Sequence, residues 1–537
     1  MAGKITRDFD FKGIKRITIP KLDSDFTASN GYGWDIIKKY LPSILATHKK
    51  NAEKIDYLYN FKLGVQDILD KVRKHEVDTD NNNIEIENHA TRQVEFKVGF
   101  ICGEPRDYTH KSDSDSDDLL YLMRYFSDCD FFAKDADLKD WIYTTGIGVT
   151  KTTPRTDIIT TEKKLILGNI TRYKTAKEGF NIDFEAPFKY NVVDPRCNFK
   201  VYSSSDDTDD LFCVSYVDVD ISTESDMQPQ IVKKLLIETR YAWFKFNADS
   251  SFATFYWNNP NEVEIVSKDL HYLPLIEFAV DKDRIGIVEK NKSAFNTINI
   301  FRSNVNDMVI DNANSILLFK NVDIDSDEIK GMIKAGAVVI RDGINGATVT
   351  QAGFENVTIE IPFEKMAVYI DQVMQNAYDI AGVPLASGQV TSGGDTGQAR
   401  LLGGGWNNAY IIIHKEIMKL LEYDYKQLKL ILMLCKQVPK CPLNELYASQ
   451  VDIHYRVNQN DNLQVKAQSM KYLYDMHLPL GFILKVGGLS NDIKTDERDW
   501  QHRIDEYERK EAEIEKAKQT STEQIEVEET NGNNSQE

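Results

Sequence analysis

The chain has 537 residues, 42% hydrophobic and 28% charged, with 65 basic against 84 acidic side chains and a net charge of −19. That length supports two or more domains with a substantial buried core, and the composition is ordinary for a soluble globular protein. The acidic balance excludes a tight duplex-DNA reader, whose affinity comes largely from Lys and Arg on phosphates, yet it allows a surface past which DNA slides without sticking.

The six cysteines, Cys102, Cys129, Cys197, Cys213, Cys435 and Cys441, form no Cys-x-x-Cys pair. No zinc site is expected, and sparse thiols in a long chain fit a reducing compartment. Met1–Pro20 lacks the apolar core of a signal peptide. The strongest apolar run, near Leu428–Cys435, is interrupted by Lys429 and Lys436, too short for a membrane span. The reading is a soluble protein made in a cytoplasm, with no membrane partner, metal or cofactor.

Met1–Ser29 reads as an arm. Asp35–Leu45 and Glu53–Lys74 are helix-patterned and end in the polar break Asp78–Asn83. Ala90–Ile101 is the next ordered piece, running into a turn at Gly103-Glu104-Pro105, because proline disfavours helix at the residue before it. Asp113, Asp115 and Asp117 alternate like the start of a calcium loop. Asp118, however, stands where that loop needs glycine, and Arg124 where it needs a bidentate Glu. A solvated loop ending in a helix N-cap before Leu119–Phe126 is the better reading. Ile142–Phe278 predicts antiparallel strands, among them Lys164–Thr171, Leu211–Val219, Leu235–Phe246 and Ala253–Trp257, closed by His271–Phe278.

Two helical stripes follow. The first carries Phe295, Ile298, Phe301, Val305, Met308 and Val309; the second carries Phe363, Met366, Ile370, Val373, Met374, Ala377 and Ala381. A helix from about Glu289 to Asn312 would be roughly 36 Å long at about 1.5 Å per residue. Between the stripes lies a mixed insert. Ser315–Lys320, Ala337–Ile340 and Thr358–Ile361 read as strands, with a short helix capped by Asp325 and Glu328 and stopped by Gly336. After the second stripe, VPLASGQVTSGGDTGQA is too rich in Gly, Ser and Thr for regular structure. Trp406–Leu434 is a long apolar helix whose start Gly403–Gly405 weakens. Val451–Val457 alternates like a strand, and Leu463–Asp475 and Glu497–Lys518 are helical. Thr520–Glu537 is acidic, without apolar periodicity, and reads as disordered.

No catalytic constellation emerges. Ser392–Arg400 lacks the lysine and Ser/Thr of a phosphate-binding loop, having Gln398-Ala399 after Gly397. His89, His110, His271, His414, His454, His477 and His502 form no metallohydrolase pair. A nucleotide-dependent enzyme is therefore the weakest of the alternatives.

The order of parts resembles the portal (head–tail connector) proteins of long-tailed, siphovirus-type bacteriophages. The resemblance rests on Val98–Thr109 with its Gly-Glu-Pro turn, on Tyr272–Phe278, on Asn314–Ile361, on Ser392–Arg400 (SGGDTGQAR), and on Leu480–Glu513 with GFILKVGG before a charged helix. The chain departs from the family pattern at Gly403–Gly405 and in its long polar arm.

The resemblance implies an α+β portal fold: α/β wing, two-helix stem, small α/β clip, long wing helix and helical crown. Residues 1–284 would be arm and wing, 285–313 the first stem helix, 314–362 the clip, and 363–382 the second stem helix. Residues 383–398 would be the tunnel loop, 399–460 the long wing helix and closing strand, 461–519 the crown, and 520–537 a tail. It also implies a homo-oligomeric ring, typically of twelve copies, at one capsid vertex. Double-stranded DNA would pass through it non-specifically during packaging and ejection. Expected partners are the terminase large subunit as the separate motor, a head-completion adaptor and the major capsid protein.

Within that picture the loop residues meeting DNA are Ser387, Gly388, Gln389, Thr391, Ser392, Gly393, Gly394, Asp395 and Thr396. Channel charges on the stem are Glu289, Lys290, Lys292, Arg302, Asp307, Asp311 and Asp371, acidic groups repelling the duplex and basic groups touching phosphates weakly. The clip's partner-binding residues are Asp323, Asp325, Asp327, Glu328, Lys330, Arg341 and Asp342. Another structural virion part, a capsid or tail-adaptor protein, is the alternative.

Overall fold

The computed structural model describes residues 9, 11–70, 83–111, 117–155, 159–166, 169–176, 180–205, 209–222, 230–257, 263–267, 271–313, 316–320, 343–345, 348–350, 353–357, 363–385, 406–438, 440–457, 463–476, 478, 480–481, 483, 500–507, 509–512 and 514. It is mixed α and β. Its longer helices are α1 (Trp34–Lys62), α2 (His89–Cys102), α3 (Asp118–Asp128), α4 (Phe131–Thr145), α5 (Ile287–Ala313), α6 (Phe363–Ala381), α7 (Trp406–Cys435) and α8 (Leu463–Asp475).

Helix α1 corrects the two-segment reading of this region, because it runs unbroken through Pro42. An interior proline removes a helical hydrogen bond and costs about 3 kcal/mol. Burial offsets that loss: Ile37, Leu41, Ile44, Leu45, Ile55 and Leu58 are all buried. The polar stretch between the apolar ends lies on the same buried face because each inward group has a partner. His48 Nε2 meets Arg196 O at 2.8 Å, Asn51 Nδ2 donates to Lys15 O at 2.8 Å, and Lys54 Nζ donates to Glu289 at 2.7 Å.

The chain divides into two units. The first comprises Met1–Gly99, Asp135–Lys151 and Asn191–Tyr423. It contains a six-stranded sheet in the order Ile17–Ile19, Asn198–Ser203, Asp210–Asp220, Ile231–Thr239, Ala242–Asp249 and Glu264–Ser267. Only the first pairing is parallel, with Ile17 opposite Val201. Phe199, Val201, Phe212, Leu235 and Phe244 pack with Ile37 and Leu41 of α1, while Cys213, between Phe212 and Val214, packs in a separate cluster with Val149 and Leu275.

Three features go beyond the sequence pattern here. The N-terminal arm is docked: Ile17–Ile19 is an edge strand, and Asn51 brackets Lys15 by accepting from its N–H and donating to its C=O. Leu235–Phe246 is two strands, Ile231–Thr239 and Ala242–Asp249, joined by a tight turn in which Thr239 Oγ1 donates to Ala242 O. Helix α4, absent from the sequence reading, fills residues 131–145. In the insert, Ile316–Lys320 pairs with Gly353–Val357, and Gly343–Asn345 pairs with Thr348–Thr350. The expected strands 337–340 and 358–361, and the short helix expected between Asp325 and Gly336, lie outside the described residues.

The second unit comprises Phe100–Lys134, Thr152–Tyr190 and Asp424–Glu537. Ile159–Ile166 pairs antiparallel with Asn169–Ala176, so the expected strand 164–171 is a hairpin. Asp107–His110 pairs with Val451–His454. An aromatic core gathers Tyr108, Phe126 and Phe131, the last two stacked at 4.3 Å. Beside it, the buried Arg106 and Asp424 pair at 2.6 Å. Asp117 occupies the N-cap position of α3 but makes no capping bond with its side chain.

Candidate channel and assembly site

The candidate site is the pair α5–α6, in the first unit. The approach to α5 is set by a buried carboxylate. Leu275–Phe278 pairs with strand residues 148–151, which places Glu277 inside. Glu277 accepts from Lys200 N at 2.7 Å, Tyr202 Oη at 2.8 Å and Arg284 Nη2 at 2.9 Å. Burial, reinforced by the Glu277 carboxylate, raises the Tyr202 hydroxyl well above its ordinary pKa, so it stays a donor. Gly146, at φ +97°, ends α4 so close to this turn that a Cβ would stand 2.1 Å from Arg284 O. Only glycine permits that backbone and that approach.

On α5, Val288, Phe295 and Ile298 form the buried apolar stripe. Adjacent to it runs a buried polar stripe, Asn291, Asn296, Asn299, Ser303 and Asp307. Asn291 bonds Gln93 and Ala377, and Asn296 bonds Asp67, whereas Asn299, Ser303 and Asp307 are partnered by segment 83–88. Asn83 N donates to Asp307 Oδ1 at 3.2 Å, Glu85 N to Ser303 Oγ at 3.0 Å, and Glu87 N to Asn299 Oδ1 at 3.1 Å. Alternate residues of an extended chain advance about 6.6 Å and four helical residues about 6 Å. The two periods match closely enough for three successive bonds, the segment running opposite in direction to the helix. The sequence pattern marks Asp78–Asn83 only as a polar break. The available signal was the four-residue spacing of Asn299, Ser303 and Asp307 beside an apolar stripe.

Helix α6 joins α5 through Asn291 Nδ2, which donates to Ala377 O at 2.8 Å, and through Phe301 against Tyr369 at 6.3 Å. It stops at Gly382, φ +63°, where Gly382 N donates to Asp379 O and Val383 N to Tyr378 O. That pair of bonds is a Schellman stop. A Cβ on Gly382 would meet Ile412 Cδ1 at 2.7 Å, so this stop is held from two sides.

The charged residues read as channel-lining are placed as follows. Glu289 accepts from Lys54 and from Gly13 N at 3.1 Å, and Asp307 is 2% exposed against Asn83. Both carboxylates thus face the chain interior. Lys290 pairs with Asp281 at 2.9 Å, Arg302 with Glu87 at 2.6 Å, and Lys292 stands over the Tyr57 ring at 5.5 Å. Asp371 is exposed, and Asp311 is a residue of α5 whose side chain lies outside the described part. Ser387, Gly388, Gln389, Thr391, Ser392, Gly393, Gly394, Asp395 and Thr396 lie outside the described residues, as do Asp323, Asp325, Asp327, Glu328, Lys330, Arg341 and Asp342.

The pair leaves apolar side chains uncovered: Met308 and Val309 on α5, and Val368, Tyr369 and Ile380 on α6, the last three more than half exposed. Among the described residues, no cluster of three or more His, Cys, Asp or Glu could hold a metal, and no helix is long and apolar enough to cross a membrane.

No curated protein matches the chain with significance. The sequence profile of the family described as "Phage portal protein, SPP1 Gp6-like" matches residues 38–399, more than half of the chain, from within α1 through both stem-like helices and the glycine-rich segment after α6. The chain therefore belongs to the phage portal protein family, a structural family of the virion rather than an enzyme family.

Proposed function

We propose that this protein forms a closed ring, of twelve subunits as is typical of portals, at one vertex of a phage capsid, and that DNA is packaged and later ejected through its bore. In this reading α5 and α6 are the stem, the insert 314–362 is the clip, and residues 383–398 are the tunnel loop. Residues 1–284 are then arm and wing, 399–460 the long wing helix and closing strand, and 461–519 the crown. The supporting observation is a packed helix pair bracketing a small β insert, within a chain whose residues 38–399 match the portal family.

The uncovered Val368, Tyr369 and Ile380 would pack on the neighbouring subunit in a head-to-tail interface that closes by rotation. Exposed Asp371 is the best supported channel charge, since Glu289 and Asp307 are already engaged. Ser387–Thr396 would touch DNA through short polar side chains, and the acidic clip residues Asp323–Glu328 would dock the terminase large subunit and then a head-completion adaptor. The wing would meet the major capsid protein.

Negative-stain imaging of purified protein tests this. Rings with a central hole are expected; shells, tubes or lone monomers would overturn it. ATP hydrolysis by the same sample would favour the enzyme alternative.

A further inference from the structure

The first unit holds a pocket of about 560 Å³ that the portal role leaves unused, where the N-terminal segment meets α1, α5 and the end of α6. That size is typical of small-molecule sites, which run from about 300 to about 1,000 Å³. Two chemistries line it. Phe9, Phe11 and Tyr57 supply three half-buried aromatic rings, Phe9 lying 5.5 Å from Tyr57 and 6.4 Å from Phe11. Each ring keeps part of its surface open to the pocket, where a flat guest can stack or meet it edge to face.

Around the rings stand four lysines, Lys12, Lys54, Lys290 and Lys292, against one carboxylate, Glu289. Glu289 is engaged by Lys54 at 2.7 Å, which leaves three ammonium groups in excess. Lys290 meets Asp281 at 2.9 Å in a solvent-exposed pair of small worth, and Lys292 stands over the Tyr57 ring at 5.5 Å. In a chain of net charge −19, a concave surface with this local positive excess suits an anion.

We propose that the pocket binds a nucleotide unit, its base on the rings of Phe9, Phe11 and Tyr57 and its phosphate on Lys12, Lys290 and Lys292. Aromatic rings accept any base, because every base has a π-face, and an ammonium is a compact charge that suits phosphate. Lys290 and Lys292 were expected to touch duplex phosphates. Here they are gathered with rings that a duplex, whose bases are already stacked, cannot use. The same chemistry is offered by a free nucleotide and by the end of an unpaired strand. Bound, it would bridge residues 9–12 to α1 and α5 and reinforce the docked N-terminal segment. All of these groups belong to one subunit, so the inference stands or falls independently of ring assembly.

Isothermal titration of the folded, full-length protein with AMP, adenosine and inorganic phosphate tests it. AMP should bind about tenfold tighter than either part, and its affinity alone with that of phosphate should fall as salt is added. Lys12→Gln with Lys292→Gln should weaken AMP about tenfold and leave adenosine unchanged, whereas Phe9→Leu should weaken both. A terminally phosphorylated single strand of deoxyadenosine separates the two sources: whichever of it and AMP binds tighter names the source. The inference is overturned if AMP does not bind, if adenosine or phosphate binds as tightly as AMP, if the double lysine variant binds AMP normally, or if duplex DNA binds as tightly as the single strand. The ligand comparison and the salt series use the wild type, so they decide even if a variant fails to fold.

Discussion

The ammonium of Lys54, buried on α1, donates to Oε1 of Glu289 on α5 at 2.7 Å, and the same carboxylate accepts from Gly13 N in the docked N-terminal segment. Lys54 also donates to the backbone carbonyls of Phe11 and Gly13. Three segments distant in sequence therefore meet on one ion pair at the base of the candidate stem. Burial lowers the pKa of Lys54, and Glu289 works against that shift.

Glu289→Gln leaves the Lys54 charge buried without a counter-charge, a change that costs about 3–5 kcal/mol. Lys54→Met removes the charge itself and should cost less. Denaturant unfolding of the two variants gives the comparison, and limited proteolysis should show cleavage near residues 11–15 rising first in Glu289→Gln. Equal stability of Glu289→Gln and wild type would refute the anchoring role.

His48 stacks on Phe199 at 3.7 Å and meets Arg196 O, and burial lowers its pKa from 6.5 to about 4. A depressed folded-state pKa means that the unfolded chain binds the proton first as pH falls. The stabilisation is thus complete above about pH 6.5 and is lost progressively toward pH 4, about 3 kcal/mol in all by linkage. The difference in stability between wild type and His48→Gln should shrink across that window. A difference independent of pH would show that His48 does not titrate as described.

The ladder between α5 and residues 83–88 predicts local effects. Asn299→Ala and Ser303→Ala each leave one backbone N–H without its acceptor, at about 1–3 kcal/mol. Hydrogen exchange should quicken at Glu87 for the first and at Glu85 for the second, each with little change at the other. Uniform quickening in both variants would point to general loosening instead.

Val368→Glu with Ile380→Glu alters side chains that are 58% and 59% exposed, so the subunit should stay folded, within about 0.5 kcal/mol per site. Ring assembly, followed by light scattering, should fail. Intact rings would remove these residues from the proposed subunit interface.

In the loop after α6, Gly393→Pro with Gly394→Pro should impair DNA filling of heads while rings still form. Proline fixes φ near −65° where the glycines leave the backbone free. Normal filling, measured as packaged genome length, would count against a DNA-contacting role for residues 383–398.

Elements whose signal is local were legible. Helix α6 spans the residues its apolar stripe marks, and α7 ends one residue beyond its predicted limit, because a helix's hydrophobic face repeats within a few residues of itself. The edges of β structure were less so: Lys164–Thr171 and Leu235–Phe246 each take in parts of two paired antiparallel strands rather than one. The order of helix, insert, helix and glycine-rich loop pointed to the portal family without any structure.

The continuity of α1 was hidden. Pro42 and the polar run from His48 to Lys54 break the apolar pattern, and only partners supplied by Arg196, Lys15 and Glu289 make that run suitable for burial. The docking of Ile17–Ile19 on Val201 and the pairing of segment 83–88 with α5 were hidden for the same reason. Periodicity within the chain determined which helices exist and in what order. Which polar groups are buried, and hence which charges remain to meet DNA or a neighbour, was decided by tertiary contacts, because a buried polar group is tolerated only where a partner, often hundreds of residues away, satisfies it.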